Sequence, residues 1–323
     1  MNNEYIISLY NARTQFGRYI SIPVWLIGVL SEICSIIVFL SLETFRQNSC
    51  SFYLLFMSIF SLIRLLFSTS LITISIAFTI NWQPALIFYC EIRNFVAAFS
   101  AISATTMLCS AIIDQYFATC NHPRWQRWSN IKLARRITFI VTLIWMGHAI
   151  VYSIYFRELS PANTAICIPS NLIFLRYDIY GNLLTIGNIL PLIAVIFGIL
   201  SYRNARTLTT RINPLVRREL DKQLTSMVLV QICVYICTYL PYMITNGFLS
   251  LYMSNDRILL AQMNLINAIV LTWNIFTNGS SFYTYIFVSK RFRRQAKYVL
   301  YEIYMNRFRQ NRIDPIQIVS IDM

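Results

Sequence analysis

Few residues of this chain could carry acid–base, nucleophilic or metal chemistry. Two His, thirteen Asp and Glu and eight Cys are spread over 323 residues. They form no P-loop, GxGxxG turn, HExxH helix or paired CxxC, and no internal repeat is visible. Enzymes built on those chemistries are not expected. What stands out is chemistry by location. Asp114, followed by Gln115 and Tyr116, and the lone charges Glu32 and Arg64 lie in or beside long apolar stretches. An ionisable group there is costly unless solvated or paired, so by default it marks a functional position. Pro191 and Pro241 also lie in such stretches. Proline in a helix interior removes one backbone hydrogen bond and kinks the rod, so each could serve as a hinge. Membrane helices also carry proline with no mechanism attached.

The elements that must position these residues are long and apolar. Hydrophobic residues make up 57% of the chain, charged ones 12%, and the mean hydropathy is +0.55, whereas soluble domains run at roughly 45–50% and about 25%. The chain therefore reads as a membrane protein. A helix needs about 20 mostly apolar residues to cross the bilayer core, and seven stretches qualify: Arg18 to Leu42, Phe52 to Ile80, Tyr89 to Tyr116, Ile137 to Phe156, Asp178 to Tyr202, Leu224 to Met253 and Leu259 to Val288. The first lacks a small-residue cleavage signature, so it reads as a span and not a signal peptide. Beyond the seventh, Phe292, Ala296, Val299, Leu300, Ile303 and Tyr304 recur at helical spacing among Lys290, Arg291, Arg293, Arg294 and Lys297. That pattern suits a helix lying in the headgroup layer. The expected architecture is an all-α membrane protein: a tail over residues 1–17, a seven-transmembrane helix bundle over 18–288, a short amphipathic eighth helix over 289–308, and a tail over 309–323.

A net charge of +14 could mean nucleic acid or membrane, and its distribution decides. The loops after spans one, three and five and the carboxyl-terminal region hold twenty Lys and Arg, the other side holds six, and Arg64 stands inside span two. The positive-inside rule puts the basic side in the cytoplasm, with the amino terminus extracellular and the carboxyl terminus cytoplasmic. The excess then contacts anionic headgroups of the lipid bilayer, and no nucleic-acid partner is expected. In this orientation only Cys90 and Cys167 face the oxidising side. A disulfide between them and six free thiols are expected, the alternative being two unpaired extracellular cysteines.

Seven spans, an outer amino terminus and a bridge from span three to the loop after span four resemble a rhodopsin-like (class A) G-protein-coupled receptor, over nearly the whole chain. In that family the bridging cysteine precedes the acid of the Asp-Arg-Tyr motif by 24 residues, and here that acid is Asp114, in Asp114-Gln115-Tyr116. Trp82, Trp145 and Pro191 match further positions. Tyr239-Leu240-Pro241 resembles Cys-Trp-x-Pro, Ser281-Phe282-Tyr283-Thr284-Tyr285 takes the place of Asn-Pro-x-x-Tyr, and Phe292-Arg293 begins the short last helix. The resemblance implies activation hinges at Pro191, Tyr239, Pro241 and Tyr285, and G-protein coupling through Asp114, Gln115, Tyr116 and Asp221. Gln115 replaces the family's arginine, so a Gln115–Asp221 contact would be weaker than the usual ion pair and coupling would be reduced or altered. Span two lacks the family's Asp, so the sodium site is not expected. Glu32 and Arg64 could pair across neighbouring helices; alternatively Arg64 reaches water through a polar cavity.

The same resemblance puts the ligand pocket at Asn94, Ala97, Ala98 and Ala101 of span three, with Tyr242, Asn246, Gln262 and Asn267 from spans six and seven. Ala97 stands where monoamine receptors keep an aspartate, so a cationic amine finds no partner there, and span seven has no lysine for retinal, so an opsin is excluded. Amides need partners, which favours a short extracellular peptide; Arg93 and Arg176 could meet its carboxylate unless Glu91 and Asp178 neutralise them. The expectation is a plasma-membrane receptor for a heterotrimeric G protein, with no cofactor, metal or catalytic residue. A non-signalling or scavenging receptor and a secondary transporter are the alternatives.

Overall fold

Long apolar stretches satisfy their backbone groups in hydrocarbon only by closing hydrogen bonds within themselves, which makes them helices. The structure is a computed structural model that describes residues 2–41, 43–80, 89–120, 122–159, 166–169, 171–207, 215–251 and 257–305. Among them seven helices are long and apolar enough to cross a membrane: Asn3–Ser41, Ser49–Phe78, Cys90–Thr119, Ile131–Tyr155, Leu172–Ala205, Gln223–Phe248 and Arg257–Gly279. The protein is thus an all-α, multi-pass membrane bundle. Its outward faces present large apolar side chains such as Leu30, Phe139, Ile154 and Leu192, all more than half exposed, as lipid contact requires.

Span one combines α1 (Asn2–Phe16) and α2 (Ile22–Ser41), and after α3 (Glu43–Arg46) span two combines α4 (Ser49–Ile63) and α5 (Ser70–Phe78). Span three is α6 (Tyr89–Thr119), which packs against α4 as well as α8, α10 and α11. The short α7 (Pro123–Gln126) leads to span four, α8 (Ile131–Tyr155), and span five is α9 (Leu172–Leu184) with α10 (Leu190–Thr207). Span six is α11 (Leu215–Leu251), and span seven is α12 (Arg257–Gly279), continued by α13 (Ser281–Val288) and α14 (Lys290–Lys297). Spans one, two and five each contain a π turn, at Gly17–Ser21, Arg64–Thr69 and Thr185–Ile189.

One expectation is corrected. Residues expected as a tail form α1, which runs into span one and packs along α12. The loop after span four carries an antiparallel hairpin, β1 (Phe156–Leu159) with β2 (Ile166–Pro169), in which Glu158 faces Cys167, and β1 packs on α6. Trp82 and residues 309–323 lie outside the described residues, as do the side chains of Cys167, Asp221, Ile303 and Tyr304.

The main core gathers at the end of the bundle that carries α14. There Phe292, Ala296 and Val299 are buried, and Phe292 meets Phe39, Phe45 and Tyr285 with ring centroids 5.7, 6.1 and 5.5 Å apart. The amphipathic stripe therefore anchors α14 against spans one and seven. Span seven breaks after Gly279, where Gly28 of span one approaches so closely that a Cβ on Gly279 would collide with the Gly28 backbone. The amide of Phe282, freed by the break, donates to Ser31 Oγ at 3.3 Å.

Gly279→Ala is expected to cost about 1–3 kcal/mol through overpacking, lowering the Tm of the detergent-purified protein. Gly28→Ala should cost less, because its Cβ would meet its nearest neighbour at 3.3 Å. Equal effects would show that the contact does not set the packing of spans one and seven.

Candidate functional site

A cavity of about 330 Å³ lies between the spans in the half of the bundle nearer Cys90, at the lower end of the roughly 300–1,000 Å³ usual for ligand pockets. Asn94, Ala97, Ala98 and Ala101 recur about every helical turn on α6 and form one wall; their small side chains leave the space open. Tyr242 and Asn246 of α11 line another wall. Gln262 and Asn267 do not reach the cavity. Packing of α1 on α12 turns Gln262 outward, where its Nε2 donates to the Tyr5 hydroxyl at 3.3 Å. Arg176 is exposed outside the cavity, whereas Arg93 borders it.

Residues that spacing did not single out complete the lining. Arg64, Ser68 and Thr69 enter from span two and Tyr152 from span four, while Asp178 and Asn182 come from span five. The Asp178 carboxylate accepts from Asn182 Nδ2 at 2.5 Å and is also hydrogen-bonded to Tyr152. Arg64 forms no ion pair with Glu32: its Nη1 donates to Asn278 Oδ1 at 3.5 Å, and it borders the cavity. Glu32 is fully buried, and although the hydroxyls of Ser58 and Ser281 face it, neither carboxylate oxygen has a hydrogen-bond partner.

Tyr239 borders the cavity, buried against Ile102 and Ile186 with Trp145 nearby. Its ring stacks on Tyr235, with centroids 5.0 Å apart. In the π turn before Pro191, the Leu190 amide bonds to Thr185 O, five residues back. The next acceptor in that register, Ile186 O, faces residue 191, which as proline has no N–H to give. Tyr235 Oη donates to Ile186 O instead, at 3.3 Å, and Thr105 Oγ1 donates to Tyr235 Oη at 3.2 Å. Spans three, five and six thus meet where span five is interrupted. Pro241 lies within α11, and one turn before it Thr238 accepts a hydrogen bond from Thr277 of span seven. Tyr285 is fully buried, and its hydroxyl has no partner.

At the α14 end, Ser49 Oγ lies 2.8 and 2.7 Å from the two Asp114 carboxylate oxygens, fixing span three to the start of span two. Gln115 is 1% exposed. Its Oε1 accepts from Thr225 Oγ1 at 3.2 Å and its Nε2 has no partner, while the side chain of Asp221, the expected partner, lies outside the described residues. Thr225 lies four residues beyond Asp221, one turn deeper along α11. Contacts of 3.5 Å from Thr225 to Ser201 and 3.4 Å from Ser201 to Thr119 continue the hydroxyl chain through spans five and three. Tyr116 packs edge-on against Phe197 of span five, centroids 5.2 Å apart. The contact found on Gln115 is thus a neutral hydroxyl–amide one. Polar residues at helical spacing on spans three and six were its only sequence signal.

Cys90 is buried and disulfide-bonded, whereas Cys34, Cys50, Cys109, Cys120, Cys233 and Cys237 are free. No protein-family model matches the chain, and no curated protein matches it. What the fold defines is a class: a seven-helix membrane bundle with a polar cavity in one half and a neutral hydroxyl–amide latch in the other.

Thr225→Val is expected to lower the Tm, because it strips the donor from a buried amide, a loss of about 1–3 kcal/mol. Adding Gln115→Leu should recover part of that loss in a double-mutant cycle; strict additivity would show that the two residues do not interact. Glu32→Gln keeps the side chain's shape and removes a buried, unpartnered ionisable group, so it is expected to raise the Tm. A fall of several degrees would show that the carboxylate has a stabilising role.

Proposed function

We propose that the protein is a plasma-membrane receptor of the rhodopsin-like kind, extracellular at its amino terminus and cytoplasmic at its carboxyl terminus. It takes a small extracellular ligand, a short peptide in the first instance, into the cavity and signals to a heterotrimeric G protein. The observation that carries this reading is a series of contacts spaced along α11. Tyr239 borders the cavity, Tyr235 beneath it holds the carbonyl left open beside Pro191, Thr238 joins span seven, and Thr225 closes the latch on Gln115. A ligand that displaces Tyr239 pushes on spans five and six where Pro191 and Pro241 weaken the rods. The α14 end, with its basic Lys290–Lys297 helix, is the cytoplasmic one under the positive-inside rule. A Cys90–Cys167 bridge would hold the hairpin over the start of α6 at the mouth of the cavity.

Gln115 favours a second reading. Buried and tied to Thr225, it offers a docking transducer no cation, which suits a receptor of the same fold that captures ligand without signalling.

Expressed in cells with a promiscuous G protein and screened against a peptide library, the chain is expected to give a second-messenger response that Tyr239→Ala abolishes. Gln115→Arg is expected to change basal or stimulated signalling. Peptide binding without any response would support the capture reading. Peptide-independent uptake of a substrate into the cells would make the protein a transporter and overturn both.

A further inference from the structure

We propose that the deep end of the cavity is an anion subsite in which the Arg64 guanidinium receives a carboxylate of the ligand. The proposal rests on the cavity being the ligand site and names the chemistry of what it takes. Arg64 lies near the middle of the span Ser49–Phe78, where an uncompensated charge is most expensive. Guanidinium carries five donors in a fixed fork. Among the described residues Arg64 uses one of them, on Asn278 Oδ1 at 3.5 Å, the long limit of a hydrogen bond. Asn278 is itself held by Asn274, whose backbone oxygen accepts from Asn278 Nδ2 at 2.7 Å. The fork is thus tethered at one corner and otherwise open to the cavity.

Among the described residues no ion pair neutralises it. The charged residues lining the cavity are Arg64, Arg93 and Asp178. Asp178 is engaged by Tyr152 and Asn182 on its own side of the cavity. The π turn that begins at Arg64 brings Ser68 and Thr69 onto the same wall, adding hydroxyls beside the guanidinium. Tyr239 and Tyr242 supply an apolar collar. A planar fork with flanking hydroxyls matches one carboxylate bound in two-point fashion. The carboxylate can be a peptide's carboxyl terminus or that of a free organic acid.

The test titrates the purified full chain in lipid nanodiscs with two acid–amide pairs: N-acetylphenylalanine against its amide, and 3-phenylpropanoate against 3-phenylpropanamide. Each acid is expected to bind at least about tenfold more tightly than its amide, as a charge-assisted pair requires. Arg64→Gln should erase that ratio, and Arg64→Lys, which keeps the charge without the fork, should retain part of it. Tighter binding of the acetylated amino acid points to a peptide terminus, and binding of 3-phenylpropanoate as tight or tighter points to a free acid; both uphold the subsite. Equal binding of acid and amide, binding of neither, or a preference that survives Arg64→Gln overturns it. If Arg64→Gln does not fold, the ratio in the unmodified chain and its reduction in Arg64→Lys decide. No G protein enters this titration, so a chain that never signals can still pass it. A signalling ligand whose potency ignores Arg64→Gln would leave the receptor standing and remove the subsite.

Discussion

Hydrocarbon offers a backbone no hydrogen-bond partner, so any interruption inside a span must be met from elsewhere in the protein. The interruptions in this bundle are therefore the places where spans are tied together. Pro191 leaves Ile186 O open, and Tyr235 of span six closes it. The break after Gly279 frees the Phe282 amide, and Ser31 of span one accepts it. Serine and threonine inside the helices follow the same constraint, bonding back to the preceding turn, as Thr106 does to Ile102 O at 2.7 Å and Ser110 to Thr106 O at 2.8 Å. The bundle combines locally weakened rods with specific cross-links at the weak points.

Under the proposed receptor reading, that arrangement would couple the two halves of the molecule. Cavity and latch share α11, so displacement of Tyr239 and opening of the Thr225–Gln115 contact are movements of one rod. Because the latch is built from hydroxyls and an amide, its strength is that of neutral hydrogen bonds, roughly half that of charge-assisted ones. In the proposed receptor, a weaker latch would need less ligand binding energy to open and would lie closer to opening unaided. The acid beside it, Asp114, accepts from Ser49, which secures spans two and three to each other. The charges inside the bundle are kept apart in the same way, Glu32 among the serines between spans one, two and seven and Arg64 in the cavity.

Much of the bundle was legible in the amino acids. The crossings could be counted, the amphipathic helix with Phe292, Ala296 and Val299 on its buried face could be placed, and Asn94, Ala97, Ala98 and Ala101, picked out by the family resemblance and spaced to share one helix face, fell on one wall. Gln262 and Asn267 miss the cavity because α1, expected as a tail, packs on α12 and sets how that helix is rotated. Arg64 faces the cavity and not Glu32, at a π turn that composition does not reveal. Gln115 finds Thr225 one turn past the acid that spacing suggested. Burial in hydrocarbon is a local property of about twenty consecutive residues, so the sequence by itself determined how many times the chain crosses and which ends are basic. Which polar groups meet depends on rotations and bulges that move a side chain by a fraction of a turn. Those are set by contacts between residues far apart in the chain, and only the tertiary structure decided them.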